Sequence, residues 1–162
     1  MKDTTRSALA ALLLGLAVSF ASTNSVAQEN RFLGSWVLDT AKSKAPLLPS
    51  SSTVTISDAG GGKFKSASDT SAGGQTIHSE ITFAVDGKDY PTQTNPAPPR
   101  GMSLTQSFEK MSATSYKTTL KLGGQEVATT VQELSDDGKT MTLTSTAGTN
   151  GSMSTVLVYN RR

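Results

Sequence analysis

The side chains best able to do chemistry are few, and their spacing argues against catalysis. His78 is the only imidazole among the 162 residues, two positions from Glu80 on what reads as the polar face of a strand. A Ser–His–Asp triad would have to recruit it, yet the many serines include no Gly-x-Ser-x-Gly elbow to present a nucleophile. The chain has no Cys, which removes thiolate nucleophiles, thiolate zinc sites, iron–sulfur centres and disulfides together. Asp86, Asp89, Asp136 and Asp137 sit at turns, where Asp serves the backbone. None of them has the spaced oxygen ligands and acidic closing residue of a calcium loop. A single Trp offers little platform for sugar chemistry by paired carboxylates. These residues predict no enzyme, no metal site and no cofactor.

The remaining candidates are apolar, and strands must position them. Beyond residue 27 no stretch keeps a helical apolar period for 11 residues; short alternating runs bounded by Gly, Asp, Asn and Pro recur instead. The first is Arg31–Asp39, followed by a proline-interrupted connector, Thr40–Ser51. Ser52–Ser57 and Lys63–Asp69 flank a turn at Asp58–Gly62, and Ser71–Gly74 turns the chain again. Gln75–Val85 is the clearest strand, with Ile77, Ser79, Ile81, Phe83 and Val85 on one face and Thr76, His78, Glu80 and Thr82 on the other. Asp86-Gly87 predicts a two-residue hairpin into Lys88–Gln93. Pro96, Pro98 and Pro99 make Asn95–Gly101 a loop. Met102, Leu104 and Phe108 alternate next, then Tyr116, Leu120 and Leu122. Gly123-Gly124, Asp136–Gly138 and Asn150-Gly151 turn the chain into Gln125–Leu134, Lys139–Thr146 and Ser152–Asn160.

That is an all-β reading of about ten strands with hairpin-length links, which favours antiparallel neighbours in up-and-down order. A meander, a sandwich and a closed barrel all satisfy it. A barrel of 8–10 strands is favoured because closure removes exposed edges.

Residues 1–27 read as an export signal. Lys2 and Arg6 precede the apolar run Ala8–Phe20, and Ser25-Val26-Ala27 supplies small residues for cleavage. At 13 residues that run is short for a membrane span, so no stable membrane anchor is expected after cleavage. Residues 28–162 are then the domain, with 13 basic and 12 acidic side chains, a balance that carries no footprint for nucleic acid. The expected location is periplasmic or extracellular, and 135 residues suffice for a core without disulfides.

Phe32-Leu33-Gly34-Ser35-Trp36, at the start of the first strand, resembles the Gly-x-Trp signature of the calycins, the superfamily of lipocalins and fatty-acid-binding proteins. The stretch from Asp136-Asp137-Gly138-Lys139 through Val158-Tyr159-Asn160-Arg161 resembles the final hairpin of the intracellular fatty-acid-binding proteins. The whole is similar to the lipocalin-like domains of small exported bacterial proteins. The resemblance implies that Gly34 permits close backbone approach, that Trp36 plugs one end of a barrel, and that Arg161 or Arg162 stacks on it. It also marks two departures. Leu157 stands where fatty-acid-binding proteins carry a carboxylate-binding Arg two positions before the final Tyr, here Tyr159. Thr40–Ser51 is too short and proline-rich for their helical lid.

With the apolar faces inward, Ile81, Phe83, Leu104, Phe108, Tyr116, Met141, Leu143, Leu157 and Tyr159 line the interior. The leading expectation is a non-catalytic barrel binding a small apolar or amphipathic molecule, with Tyr159 and a Thr hydroxyl orienting a polar end. Thr140, Thr142, Thr144 and Thr146 suit a solvent-facing pleat; a hydroxyl-lined interior is the alternative. A second expectation, of another class, is a packed barrel that binds a protein partner through the Asn95–Gly101 loop and Arg100. Secreted bacterial metalloprotease inhibitors are small calycin-like barrels of that kind, though they usually carry a disulfide.

Overall fold

The computed structural model describes residues 30–147 and 153–162. The expected signal segment and the Asn150-Gly151 turn lie outside them. Ten strands follow in chain order: β1 Gly34–Leu38, β2 Ser51–Gly60, β3 Lys63–Ala72, β4 Gln75–Phe83, β5 Tyr90–Asn95, β6 Leu104–Lys110, β7 Ser115–Leu122, β8 Gln125–Leu134, β9 Thr140–Ala147 and β10 Met153–Arg161. Every successive pair is antiparallel, and β1 pairs with β10 through Trp36–Arg161 and Leu38–Tyr159, closing the barrel. The all-β, up-and-down expectation holds, at ten strands. No helix occurs among the described residues.

The glycine pairs Gly73-Gly74 and Gly123-Gly124 make two-residue links in which both residues take positive φ, the geometry that matches strand twist in a tight hairpin. Asp86-Gly87 behaves differently. The link between β4 and β5 runs over residues 84–89 rather than two residues. Val85 leaves the strand to pack on an apolar cluster, and the Gly87 N–H donates to the Phe108 carbonyl at 3.0 Å. Asp86 accepts from the Lys88 N–H at 3.1 Å and from the Tyr90 hydroxyl. The Asp-Gly pair predicts a turn correctly, but these contacts set its length.

The first strand is also shorter than its alternation suggests. Asn30 holds Arg31–Leu33 in a turn by accepting the Phe32 N–H on its side chain and the Leu33 N–H on its carbonyl. After β1 the connector runs along β10 instead of forming a lid. Asp39 donates its N–H to Val158, and Lys44 and Val156 exchange both backbone bonds at 2.7 Å. The thinnest seam is β5–β6, paired only at Tyr90–Gln106 and Pro91–Thr105. Pro91 has no N–H to give, and the chain departs at Asn95 into the proline loop.

The register fixes the inner face. Ion pairs Lys65–Glu80 and Lys117–Glu109, and the His78–Asp69 contact at 2.9 Å, lie on the outer wall. That wall is therefore not the apolar band of a lipid-facing barrel. The Thr140, Thr142, Thr144 and Thr146 row faces outward with it, out of phase with the buried Met141.

Candidate functional site

Two apolar clusters form the lower half of the interior. The first gathers Phe32, Trp36, Leu38, Ile56, Leu134, Met141 and Tyr159; the second gathers Ile81, Phe83 and Phe108. Phe64 packs against both. Rings connect them: Phe83 stacks on Phe108 with centroids 3.7 Å apart, Phe64 tilts against Phe83, and Phe32 tilts against Tyr116 at 4.5 Å.

One end of the barrel is closed by the sequence Phe32 to Trp36. Trp36 is fully buried, and its indole N–H donates to the Phe32 carbonyl at 2.9 Å. Arg161 lies over the Trp36 ring, its guanidinium carbon 4.3 Å from the ring centre. The same guanidinium donates to the carbonyls of Gly138, Leu33 and Arg31, lashing the final turn and the entering turn together. Gly34 has φ of +127°, and a Cβ there would sit 2.7 Å from an Arg161 nitrogen. The spacing of Gly34 and Trp36 thus reflects one object, a cation packed between a bare backbone and an indole face.

The opposite end is open. Ile77 is in phase with the inward Ser79, Ile81 and Phe83, and Met153 with Thr155, Leu157 and Tyr159, yet both are about half exposed (45% and 52%). Leu47, Leu48, Met102 and Val127 are exposed at the same end.

Between the two clusters lies a cavity of about 170 Å³. Its apolar walls are Phe32, Val54, Ile56, Ile81, Phe83, Phe108, Tyr116, Met141 and Leu143. Its polar walls are Asn30, Ser66, Ser68, Ser79, Gln106 and Gln132. A single water needs only ~10–15 Å³ on this scale, so the space has the size for a ligand.

Six of the nine expected lining residues therefore surround one cavity: Ile81, Phe83, Phe108, Tyr116, Met141 and Leu143. Three do not. Leu157 packs against the first cluster without lining the cavity, and Tyr159 is buried within that cluster. The Tyr159 hydroxyl donates to Ser52 at 3.1 Å, which commits it inside the core rather than to a ligand's polar end. Burial pushes the Tyr159 phenol up, partly offset by that hydrogen bond. Leu104 begins β6 near the open end, beyond the cavity.

Reading strands for apolar residues alone misses Ser66, Ser68, Gln106 and Gln132 of the wall, whereas Ser79 already shares the face of Ile81 and Phe83. Gln106 stands between Leu104 and Phe108 in the same phase, and Ser79 stands between Ile77 and Ile81. Phase alone places both inside. Their hydrogen bonds run across strands: Gln106 donates to Thr92 at 3.1 Å and Gln132 to Thr118 at 2.9 Å. Thr130 shares a hydrogen bond with Ser145, and Ser52 with Thr70.

His78 remains on the outer wall, 2.9 Å from Asp69 and 3.8 Å from Glu80, and does not line the cavity. Arg100 is exposed in the proline loop, at the open end. No cluster of three metal-binding side chains occurs among the described residues.

No protein-family profile matches this chain, and no curated protein matches it. Solved structures do. A mutant of the fluorescent protein UnaG superposes with a TM-score of 0.59 at 17% identity, covering 82% of this chain and 96% of the other. A fatty-acid-binding protein of Schistosoma mansoni in complex with arachidonic acid gives 0.56 at 20% identity, covering 82% and 96%. Fatty-acid-binding protein 1 of Echinococcus granulosus gives 0.55 at 16% identity, covering 81% and 97%. Likeness at these identities speaks of architecture alone: a closed ten-stranded antiparallel barrel similar to that of the fatty-acid-binding proteins.

Proposed function

We propose that the protein is an exported, non-catalytic carrier holding a small apolar or amphipathic molecule inside its barrel. The observation that carries this reading is the cavity between the two apolar clusters, walled by Ile81, Phe83, Phe108, Tyr116, Met141 and Leu143. Binding comes mainly from burying ligand surface against these side chains, at roughly 25 cal/mol per Å². The open end, ringed by exposed apolar side chains, is the entrance. A similar barrel, a fatty-acid-binding protein in complex with arachidonic acid, supports an apolar ligand. Export rests on Lys2, Arg6, the apolar run Ala8–Phe20 and the small residues before Gln28.

The rival reading, capture of a protein partner by Asn95–Gly101, calls for a packed interior, and the cavity favours the carrier. Native mass spectrometry of the protein purified from its own host tests the proposal. The expected result is a reproducible added mass of a ligand, lost on denaturation. A clean apo mass together with no uptake from a lipid extract would contradict it.

A further inference from the structure

Resting on the carrier reading, we infer that the barrel selects an uncharged ligand, an amphiphile whose polar group is a hydroxyl or amide, and rejects carboxylates. Among the described residues the cavity wall contains no Asp, Glu, Lys, Arg or His. Its polarity is confined to hydroxyls and amides: Ser66, Ser68 and Ser79 on β3 and β4, Gln132 on the facing wall and Gln106 beside it. The inner-face hydrogen bonds Gln106–Thr92 and Gln132–Thr118 each join two neutral groups.

The amides are held but not exhausted. Each glutamine spends its NH₂ on a threonine, and no buried side-chain oxygen or nitrogen among the described residues lacks a partner. Bonding through the NH₂ leaves the carbonyl oxygens of Gln106 and Gln132, on cavity-lining side chains, as acceptors. They suit a donor such as a hydroxyl or an amide N–H, and they repel an anion.

The cation that packs on the first cluster, Arg161, is also spoken for. Arg161 stacks on Trp36, donates all three of its nitrogens to backbone carbonyls, and does not line the cavity. A carboxylate in the cavity would therefore lose its hydration without a countercharge on the wall, a cost that ordinarily neutralises the group or excludes it. The protein's own groups report the same environment. Burial pushes the phenol of Tyr116, which lines the cavity, above its usual value, so the interior resists gaining negative charge.

The test uses Nile red, a neutral dye, loaded into the protein and displaced at pH 8 by 1-decanol or by decanoate, two ligands of equal chain length. The expected result is displacement by decanol at a concentration at least about tenfold lower than decanoate, the least that an uncompensated buried charge implies. Installing a cation by Gln132→Arg, or by Gln106→Arg should the first variant not fold, is expected to narrow or reverse that preference. Dye uptake with equal displacement, or with decanoate preferred, overturns the inference and leaves the carrier reading standing. Failure of the protein to take up any dye overturns the carrier reading, and the inference with it.

Discussion

The two ends of this barrel are built from different residues. The closed end carries Phe32, Trp36 and Met141, three of the largest fully buried side chains, and Arg161 ties the turns there to one another. All eight aromatic residues of the described chain belong to, or pack on, the two clusters that wall the cavity. Toward the open end the inner face mixes small residues, such as Thr70, Ala128, Thr130, Ser145 and Ala147, with Leu104, Ile77 and Met153. Neither Trp36 nor Arg161 lines the cavity. The closed end and the open end can therefore be perturbed separately.

The largest effect is expected at the plug. Trp36→Ala removes the fully buried indole and the surface on which Arg161 rests, and is expected to cost about 3–5 kcal/mol, read from urea unfolding followed by circular dichroism. A loss under about 1 kcal/mol would mean that the plug does not hold the barrel.

Two glycines sharpen the contrast. Gly34→Ala meets both a φ of +127° and an Arg161 nitrogen 2.7 Å from the new Cβ, so a loss of at least about 2 kcal/mol is expected. Gly73→Ala, in the two-residue turn at the open end, has φ of +58° and nothing within 4 Å of a Cβ. It should cost about 1 kcal/mol, the backbone penalty alone. Equal losses at the two positions would remove the argument that Arg161 makes Gly34 necessary.

Titration should distinguish the polar turns from the core. At the closed end the Ser135 hydroxyl and the Lys139 N–H hold the Asp137 carboxyl below its ordinary value of 3.8, and the Lys88 N–H does the same for Asp86. A carboxyl lowered in the folded state binds its proton less readily there than in the unfolded chain. Its stabilisation is present above pH 3.8 and is lost as pH falls through the lowered value. Thermal midpoints should therefore fall on acidification, and Asp137→Asn should lessen that fall. Tyr159 has the opposite sign. Its burial favours the neutral phenol, so its contribution is present below pH 10.0 and disappears as pH rises through the raised value. Tyr159→Phe should flatten the alkaline limb without touching the acid one.

The smallest effect on stability is expected at the open end. Leu47→Ser and Met102→Ser alter side chains that are 70% and 49% exposed, and should change unfolding by no more than about 0.5 kcal/mol. The same substitutions should slow dye uptake, because they sit where a ligand enters. Unchanged uptake rates would place the entrance elsewhere, with the thin β5–β6 seam the next candidate.

Much of the architecture was legible in the residues. Alternation through Ser79, Ile81 and Phe83, or Met141 and Leu143, gave both the strand and its inward phase, because a buried face on a pleat has period two. The glycine pairs marked their turns for conformational reasons that need no tertiary context. The link at Asp86-Gly87 was not legible to its length, because contacts with Phe108 and Tyr90 from other strands decide it. The cavity was half legible. Apolar residues announced themselves, whereas Gln106, Gln132 and Ser66 read as ordinary polar strand positions until register placed them inside. Tyr159 shows the converse: its polar tip suggested a ligand contact, and only the fold brings Ser52 to it across 107 positions of sequence.

The central claim, that a ligand occupies the cavity between the two clusters, is tested most directly by filling it. Ser66 and Ser79 line the cavity with small side chains, and Ser79→Phe or Ser66→Phe would place a ring in its space. The account predicts that the wild-type protein takes up one Nile red per barrel and that a filled variant, with unchanged circular dichroism and cooperative unfolding, takes up none. Uptake that survives in a folded, filled variant would contradict it, and would move the binding site out of the barrel.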